Sequence, residues 1–168
     1  MKNGKGIIKG FYDNGKLYFV CKYLNGEING KGKKYDYDDI LIFEGEYKNG
    51  KRWNGKGYNV EKIIIYEIKN GNGKMKEYEK SKLKFEGEYL KGKRNGKGKE
   101  YYDDGILKFE GEYLNDNRNG KRKDNYNEGE IKFEGDFLDG KGKGRKYYKN
   151  GKLKFEDEYI ECKGNINI

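Results

Sequence analysis

The sequence contains no histidine, proline, alanine, threonine or glutamine, and Ser81 is its only serine. Each gap removes a class of chemistry. Without histidine there is no imidazole to activate Ser81, Cys21 or Cys162, so the histidine-based forms of nucleophilic catalysis are excluded. Two cysteines far apart in sequence and no histidine leave nothing to build a zinc site, and the turns lack the spaced carboxylates of a calcium loop, so no metal or cofactor is expected. Absent proline argues against collagen-like and proline-rich linker segments. No apolar run approaches the ~20 residues that a helical membrane span requires; the longest, such as Ile63 to Tyr66, are short. The opening MKNGKGIIKGFYDNG lacks a continuous apolar stretch and a cleavage site, and lipidation boxes are missing, so an intracellular chain with reduced thiols is expected. The hydrophobic set is only 33% of the residues, and 17 of its members are tyrosine. A conventional globular core cannot be assembled from that remainder.

What the chain has in abundance is charge and glycine. Over 168 residues, 38 basic and 29 acidic side chains leave a net charge of +9, and 27 residues are glycine. Acids accompany bases nearly throughout, with a +3 excess over residues 1–18 (four lysines against Asp13) and a −3 excess over 155–168 (four acids against Lys163). No basic arm of the kind that binds nucleic acid stands out.

Self-similarity is the dominant signal. FEGEY occurs at Phe43, Phe85 and Phe109, FEGDF at Phe133 and FEDEY at Phe155; looser copies begin at Phe19 (FVCKYLNG) and Ile64 (IIYEIKNG). The starts are spaced by 24, 21, 21, 24, 24 and 22 residues. Within a unit, Leu107, Phe109, Gly111 and Tyr113 share one parity while Lys108, Glu110 and Glu112 share the other, the period-two signature of a strand. A Gly/Asn-rich turn follows, then a second strand of the GKGKEYY type, then a DDG or NEG turn into the next unit. The expected fold class is therefore all-β: an elongated, single-layer antiparallel sheet of stacked hairpins, each adding roughly 9 to 10 Å, in which nearest-neighbour contacts replace a globular core. Residues 1–168 form one array, with a partial repeat at 1–18, repeats starting at 19, 43, 64, 85, 109 and 133, and a C-terminal cap at 155–168. Glycines between two aromatics of one face, such as Gly45, Gly87, Gly111 and Gly135, are expected to be sockets over which rings lie flat. Cys21 and Cys162 stand about six units apart, ~55 to 60 Å, too far for a disulfide.

The unit FEGEYLKGKRNGKGKEYYDDG (Phe85 to Gly105) resembles the MORN repeat: aromatic, spacer, Gly, spacer, aromatic, Gly turn, then GxG and a further aromatic before a second turn. The Phe19 copy departs from it with Cys21 in the Gly place, the Ile64 copy with Tyr66 there, and Trp53, the sole tryptophan, falls in a turn. The KEYYDDGILKFEGEY flavour (Lys99 to Tyr113) looks like the MORN variant, some members of which are labelled antitoxins. The resemblance implies a twisted single-layer sheet with a groove, and a role in holding other proteins or attaching to membranes.

Two sets of side chains are candidates for that role. Tyr35, Tyr58, Tyr78, Tyr101, Tyr102, Tyr126, Tyr147 and Tyr148 recur after the second strand, and a row of amphipathic rings along a groove suits an extended or helical segment of a protein partner; the plain structural alternative is that one of each pair packs on the glycine sockets. All five arginines fall in the first turn or the second strand, so stacking is expected to align Arg52, Arg94, Arg118, Arg122 and Arg145 with Lys51, Lys93 and Lys143 as a basic edge able to meet an acidic phospholipid surface. Its counter-reading is a screened surface in which Glu86 and Glu88 pair with Lys97 and Lys99. Nucleic acid ranks below protein because acids alternate along the same strands. The expectation is a non-enzymatic scaffold or adaptor in the cytoplasm, free or peripheral to a membrane or the cytoskeleton. A basic-edge membrane module is the alternative, and an antitoxin-like or self-assembling homo-oligomer ranks lower.

Overall fold

The computed structural model describes residues 4–138 and 141–160. All regular structure there is β-strand, divided between two compact units, Met1–Lys93 and Arg94–Ile168. The first unit holds β1 (Lys5–Phe11), β2 (Leu17–Leu24), β3 (Glu27–Tyr35), β4 (Leu41–Lys48), β5 (Lys51–Tyr58), β6 (Ile64–Lys69), β7 (Asn72–Glu79) and β8 (Lys82–Leu90). The second holds β9 (Lys93–Tyr101) from Arg94 onward, β10 (Leu107–Leu114), β11 (Asn117–Asn125), β12 (Ile131–Leu138), β13 (Lys141–Tyr147) and β14 (Leu153–Ile160). Within each unit every strand pairs antiparallel with its sequence neighbour, the meander of hairpins that the repeat predicts.

Two kinds of turn alternate because two kinds of sequence do. The hairpins between β4 and β5 and between β6 and β7 turn on Asn49–Gly50 (φ 49° and 75°) and Asn70–Gly71 (φ 53° and 74°). Positive φ at both central residues is the turn whose twist matches paired strands, and Asn-Gly is the pair that adopts it most readily. These turns are also stitched to one another. Gly50 N–H donates to the Ile28 carbonyl at 2.9 Å and Gly71 N–H to the Trp53 carbonyl at 2.7 Å. Asparagine side chains clasp the same joints: Asn29 Oδ1 accepts from Asn49 N–H at 3.1 Å, and Asn54 Oδ1 from Asn70 N–H at 2.8 Å.

Those asparagines sit where the second strand of a repeat bulges. Gly45 faces Gly55 and Glu46 faces Asn54, yet Tyr47 faces Arg52, so Trp53 is an extra residue in β5. Trp53 is thus a bulge residue inside a strand rather than part of a turn. A bulge reverses the parity of everything beyond it, with consequences for the arginines below.

One face of each unit carries the core. Phe43, Phe85 and Phe109 are fully buried, and each stands edge-on to the tyrosine four residues on, with Phe109 and Tyr113 centroids 5.3 Å apart. The rings lie over glycine: a Cβ at Gly55 would fall 2.7 Å from Phe43 Cζ, one at Gly111 2.8 Å from Phe109 Cζ, and one at Gly144 2.7 Å from Phe133 Cζ. Socket and ring together are the unit of burial, ~1.5 to 3 kcal/mol per phenylalanine by area. At the far end, Phe155 to Ile160 of the expected cap belong to β14, paired with β13; Cys162 lies outside the described residues.

Candidate functional site

Several rings of the core face are covered by the chain's own arginines. Arg52 lies opposite Tyr47 because of the Trp53 bulge, and its guanidinium sits 4.7 Å above the Phe43 ring. From there Nη1 donates to Tyr66 Oη at 2.9 Å. Burial works against the Arg52 charge, but the Tyr66 and Tyr47 oxygens and the Glu77 carboxylate hold it protonated more firmly than usual. Burial in turn pushes the Tyr66 phenol up to about 12. In the second unit Arg118 repeats the arrangement, 4.0 Å above Phe109, with Nη2 to Glu100 at 2.5 Å and Nη1 to Asp124 at 3.2 Å. Burial alone would raise the Glu100 carboxyl; the hydrogen bonds from Arg118 and Tyr113 outweigh it and leave Glu100 below its ordinary range. Arg122 stands 4.9 Å above Phe133 and 3.3 Å from Asp124, and Arg94 lies 5.9 Å above Tyr113 and 3.9 Å from Glu100.

The structure therefore does not bring the eight basic candidates together as an open edge. Arg52, Arg94, Arg118 and Arg122 cap aromatic rings, as guanidinium planes do well. Arg145 belongs to the opposite face, ion-paired with Glu156 at 2.8 Å. Lys51 and Lys93 open β5 and β9, half-buried, and Lys143 is exposed in β13.

The opposite face carries a row of charges that runs across the strands. In the first unit Lys33 pairs with Glu44 at 3.1 Å, Lys56 with Glu67 at 3.4 Å and Lys76 with Glu86 at 3.3 Å. In the second, Lys99 pairs with Glu110 at 3.3 Å. Each pair joins the second strand of one repeat to the first strand of the next. Exposed pairs of this kind contribute little apiece, ~0 to 1 kcal/mol, but they set the chemistry that the face presents.

The tyrosine candidates separate into two groups. Strand alternation sets Tyr35, Tyr58, Tyr78, Tyr101 and Tyr147 two residues beyond Lys33, Lys56, Lys76, Lys99 and Arg145, on the charge-row face. Tyr147 Oη donates to Glu134 Oε1 at 2.8 Å, and burial raises the Tyr78 phenol with Glu86 adding to the effect. All five are half-buried. Tyr102, Tyr126 and Tyr148 instead open turns. Tyr102 Oη donates to the Asn125 carbonyl at 2.8 Å and Tyr126 Oη to the Tyr147 carbonyl at 2.9 Å, so these rings tie one hairpin end to the next. Tyr12, not among the candidates, does the same to the Tyr35 carbonyl at 3.1 Å. Tyr148 is 49% exposed, with Lys154 Nζ 5.1 Å above its ring. Among the described residues no three of cysteine, aspartate and glutamate stand together as a metal site would require.

A family model for the MORN repeat matches residues 22–39, 43–57, 85–106 and 109–121, and one for the MORN repeat variant matches 5–25 and 141–161. Together they cover more than half of the chain. The chain belongs to the MORN-repeat family. The MORN matches skip the stretch from 58 to 84, where Tyr66 replaces the socket glycine and Met75, 4% exposed, stands opposite Gly87. No curated protein matches the chain. MORN repeats are generally protein- or membrane-binding scaffold motifs. Here arginines cover Phe43 in the first unit and Phe109 and Phe133 in the second, and the opposite face of each unit carries tyrosine beside alternating charge.

Proposed function

We propose that the chain is a non-enzymatic MORN scaffold that holds a protein partner on the charge-row face. The observation that carries this reading is the covering of the rings on the other face, by Arg52 over Phe43 in the first unit and by Arg118 and Arg122 over Phe109 and Phe133 in the second, which favours for a partner the face bearing Tyr35, Tyr58 and Tyr78 in the first unit and Tyr101 and Tyr147 in the second. Half-buried tyrosines offer an apolar ring and a hydroxyl at small entropic cost, which suits them to protein interfaces. Alternating Lys and Glu beside them favours a partner of complementary pattern over a uniformly charged one. A chain without histidine and with repeat-equivalent carboxylates has no unique acid–base pair for catalysis. We place the protein in the cytoplasm, with Cys21 a reduced, buried thiol.

The test is site-specific photo-crosslinking in the native cell, with a benzophenone residue at Tyr58 or Tyr101 and, for comparison, at Tyr102 or Tyr126. The scaffold reading expects protein adducts from the first two positions and few from the turn positions. Absence of adducts at Tyr58 and Tyr101 would refute it. Sedimentation with anionic vesicles addresses the lipid alternative: vesicle binding lost on changing Lys51, Lys93 and Lys143 to Glu would support that alternative instead.

A further inference from the structure

In the first unit the charge row breaks at β2. Where the FEGEY repeats place glutamate at Glu44, Glu86 and Glu110, this strand has Val20, and where they place Glu46, Glu88 and Glu112 it has Lys22. The strands beside it make no compensation. Across the β1–β2 ladder Lys5 faces Leu24, Ile7 faces Lys22 and Lys9 faces Val20. On the other side Lys33 faces Val20 and is already engaged by Glu44. Lys31 faces Glu46, but that carboxylate accepts from Asn54 Nδ2 at 3.0 Å. Lys5, Lys9, Lys22 and Lys31 are all exposed, and the marginal acid of this patch is Glu27, which opens β3 opposite Leu24.

The same patch is concave. A recess of about 410 Å³ is lined by Ile7 and Val20, by Lys22 and Lys31, and on its far side by Glu44 and Glu46, with Gly32 and Gly45 contributing only backbone. Ile7 is 66% exposed at its rim. Val20 and Ile7, with Lys22 and Lys31 beside them and Lys5 and Lys9 flanking Ile7 on β1, select for a ligand that brings negative charge and a protruding apolar group together. A flat bilayer presses poorly into a concavity, nucleic acid finds no ring in the lining to stack on, and the wall carboxylates Glu44 and Glu46 are already engaged by Lys33 and Asn54.

We propose that this recess docks an acidic protein segment, which seats one aliphatic or aromatic side chain between Ile7 and Val20 while its carboxylates reach Lys5, Lys9, Lys22 and Lys31. The inference rests on the protein-scaffold reading and deepens it by giving the place and the partner chemistry. Charge at the rim governs encounter rate and salt dependence, and the apolar anchor governs residence.

The double substitution Val20→Glu, Lys22→Glu tests it with little risk to the fold, since it installs the residues that the other repeats carry. The probe is a labelled peptide of six acidic residues flanking a central Leu-Phe, with a control in which the centre is Gly-Gly, read by anisotropy on the full chain at low and at physiological salt. The proposal expects the Leu-Phe peptide to bind at least tenfold more tightly than its control, and the double substitution to weaken it at least tenfold. It also expects amide shifts confined to residues around Val20, Lys31, Gly32 and Gly45. Lys31→Glu alone should weaken binding several-fold, which guards against misfolding of the double variant; circular dichroism checks both. Equal binding of the two peptides, shifts elsewhere on the chain, or an effect of the substitutions on anionic vesicles or DNA but not on the peptide would overturn it. Peptide failure with crosslinks intact at Tyr58 and Tyr101 overturns the recess alone; failure of both overturns the scaffold reading as well.

Discussion

Gly57→Ala is the smallest change that separates a socket from an ordinary strand glycine. The Gly57 backbone is not in the left-handed region, so on conformational grounds alone alanine should stabilise by about 0.4 to 1 kcal/mol. The structure predicts the opposite sign. A Cβ at Gly57 would fall 2.6 Å from Tyr66 Cδ1, and Tyr66 Cε1 and Cζ are nearer still. The ring has little room to lift, because its hydroxyl accepts from Arg52 at 2.9 Å and only 9% of the residue is exposed. Overpacking of this kind costs about 1 to 3 kcal/mol. Set against the backbone gain, the net loss centres on about 1.3 kcal/mol and reaches about 2.5 kcal/mol, a melting temperature lower by about 3 to 10 °C for a chain of this size. Urea denaturation of the wild type, Gly57→Ala, Tyr66→Ala and the double variant closes the cycle. Tyr66→Ala alone should cost about 3 to 5 kcal/mol, but with the ring gone the alanine at 57 should be neutral or mildly stabilising, for a coupling of at least about 1 kcal/mol. A neutral or stabilising single substitution, or a coupling near zero, would refute the idea that glycine here makes room for rings.

The arginine caps give a second expectation. Arg118→Leu removes one of two cations from each of Glu100 and Asp124, which keep Arg94 and Arg122, and should destabilise by about 1 to 3 kcal/mol, Arg118→Lys should recover only part of that because the fork and the stack on Phe109 are lost, and Lys143→Leu, at an exposed site, should stay within about 0.5 kcal/mol in the same chemical melts. A third concerns pH. Because Glu100 titrates lower in the folded state than its unfolded value of about 4.3, its contribution is present above that value and is lost as pH falls through the depressed folded one. Glu100→Gln should therefore be less stable than wild type at neutral pH and converge with it in acid, as followed by stability measured from pH 7 to pH 2.

The period, the paired strands and the sockets were legible in the sequence because they depend on spacing alone: a ring two residues from a glycine on a strand must share its face. The arginines were not. By strict alternation from Gly55, Arg52 falls on the charge-row face, but the extra residue at Trp53 carries it to the ring face, and an Asn-Gly pair inside a strand reads like any turn. The tyrosine pairs were ambiguous for a related reason. Tyr101 and Tyr102 are adjacent, and only knowing that β9 stops between them assigns the first to a face and the second to a hairpin end. The recess at Val20 had a visible signal, a valine and a lysine in place of two glutamates, that becomes meaningful only once Lys5 and Lys9 are known to stand across the ladder.

The clasps between successive hairpins, amide of one turn to asparagine and carbonyl of the last, are the same at each of the joints described for the first unit. Length in such an array therefore changes most readily in whole modules. Gain or loss of one complete copy leaves every joint with a familiar neighbour, whereas gain or loss of a single residue within a strand swaps its inside for its outside. Variation in length among the copies is accordingly tolerated where the chain reverses direction, and relatives of this protein should differ by integral numbers of copies far more often than by frayed fractions of one.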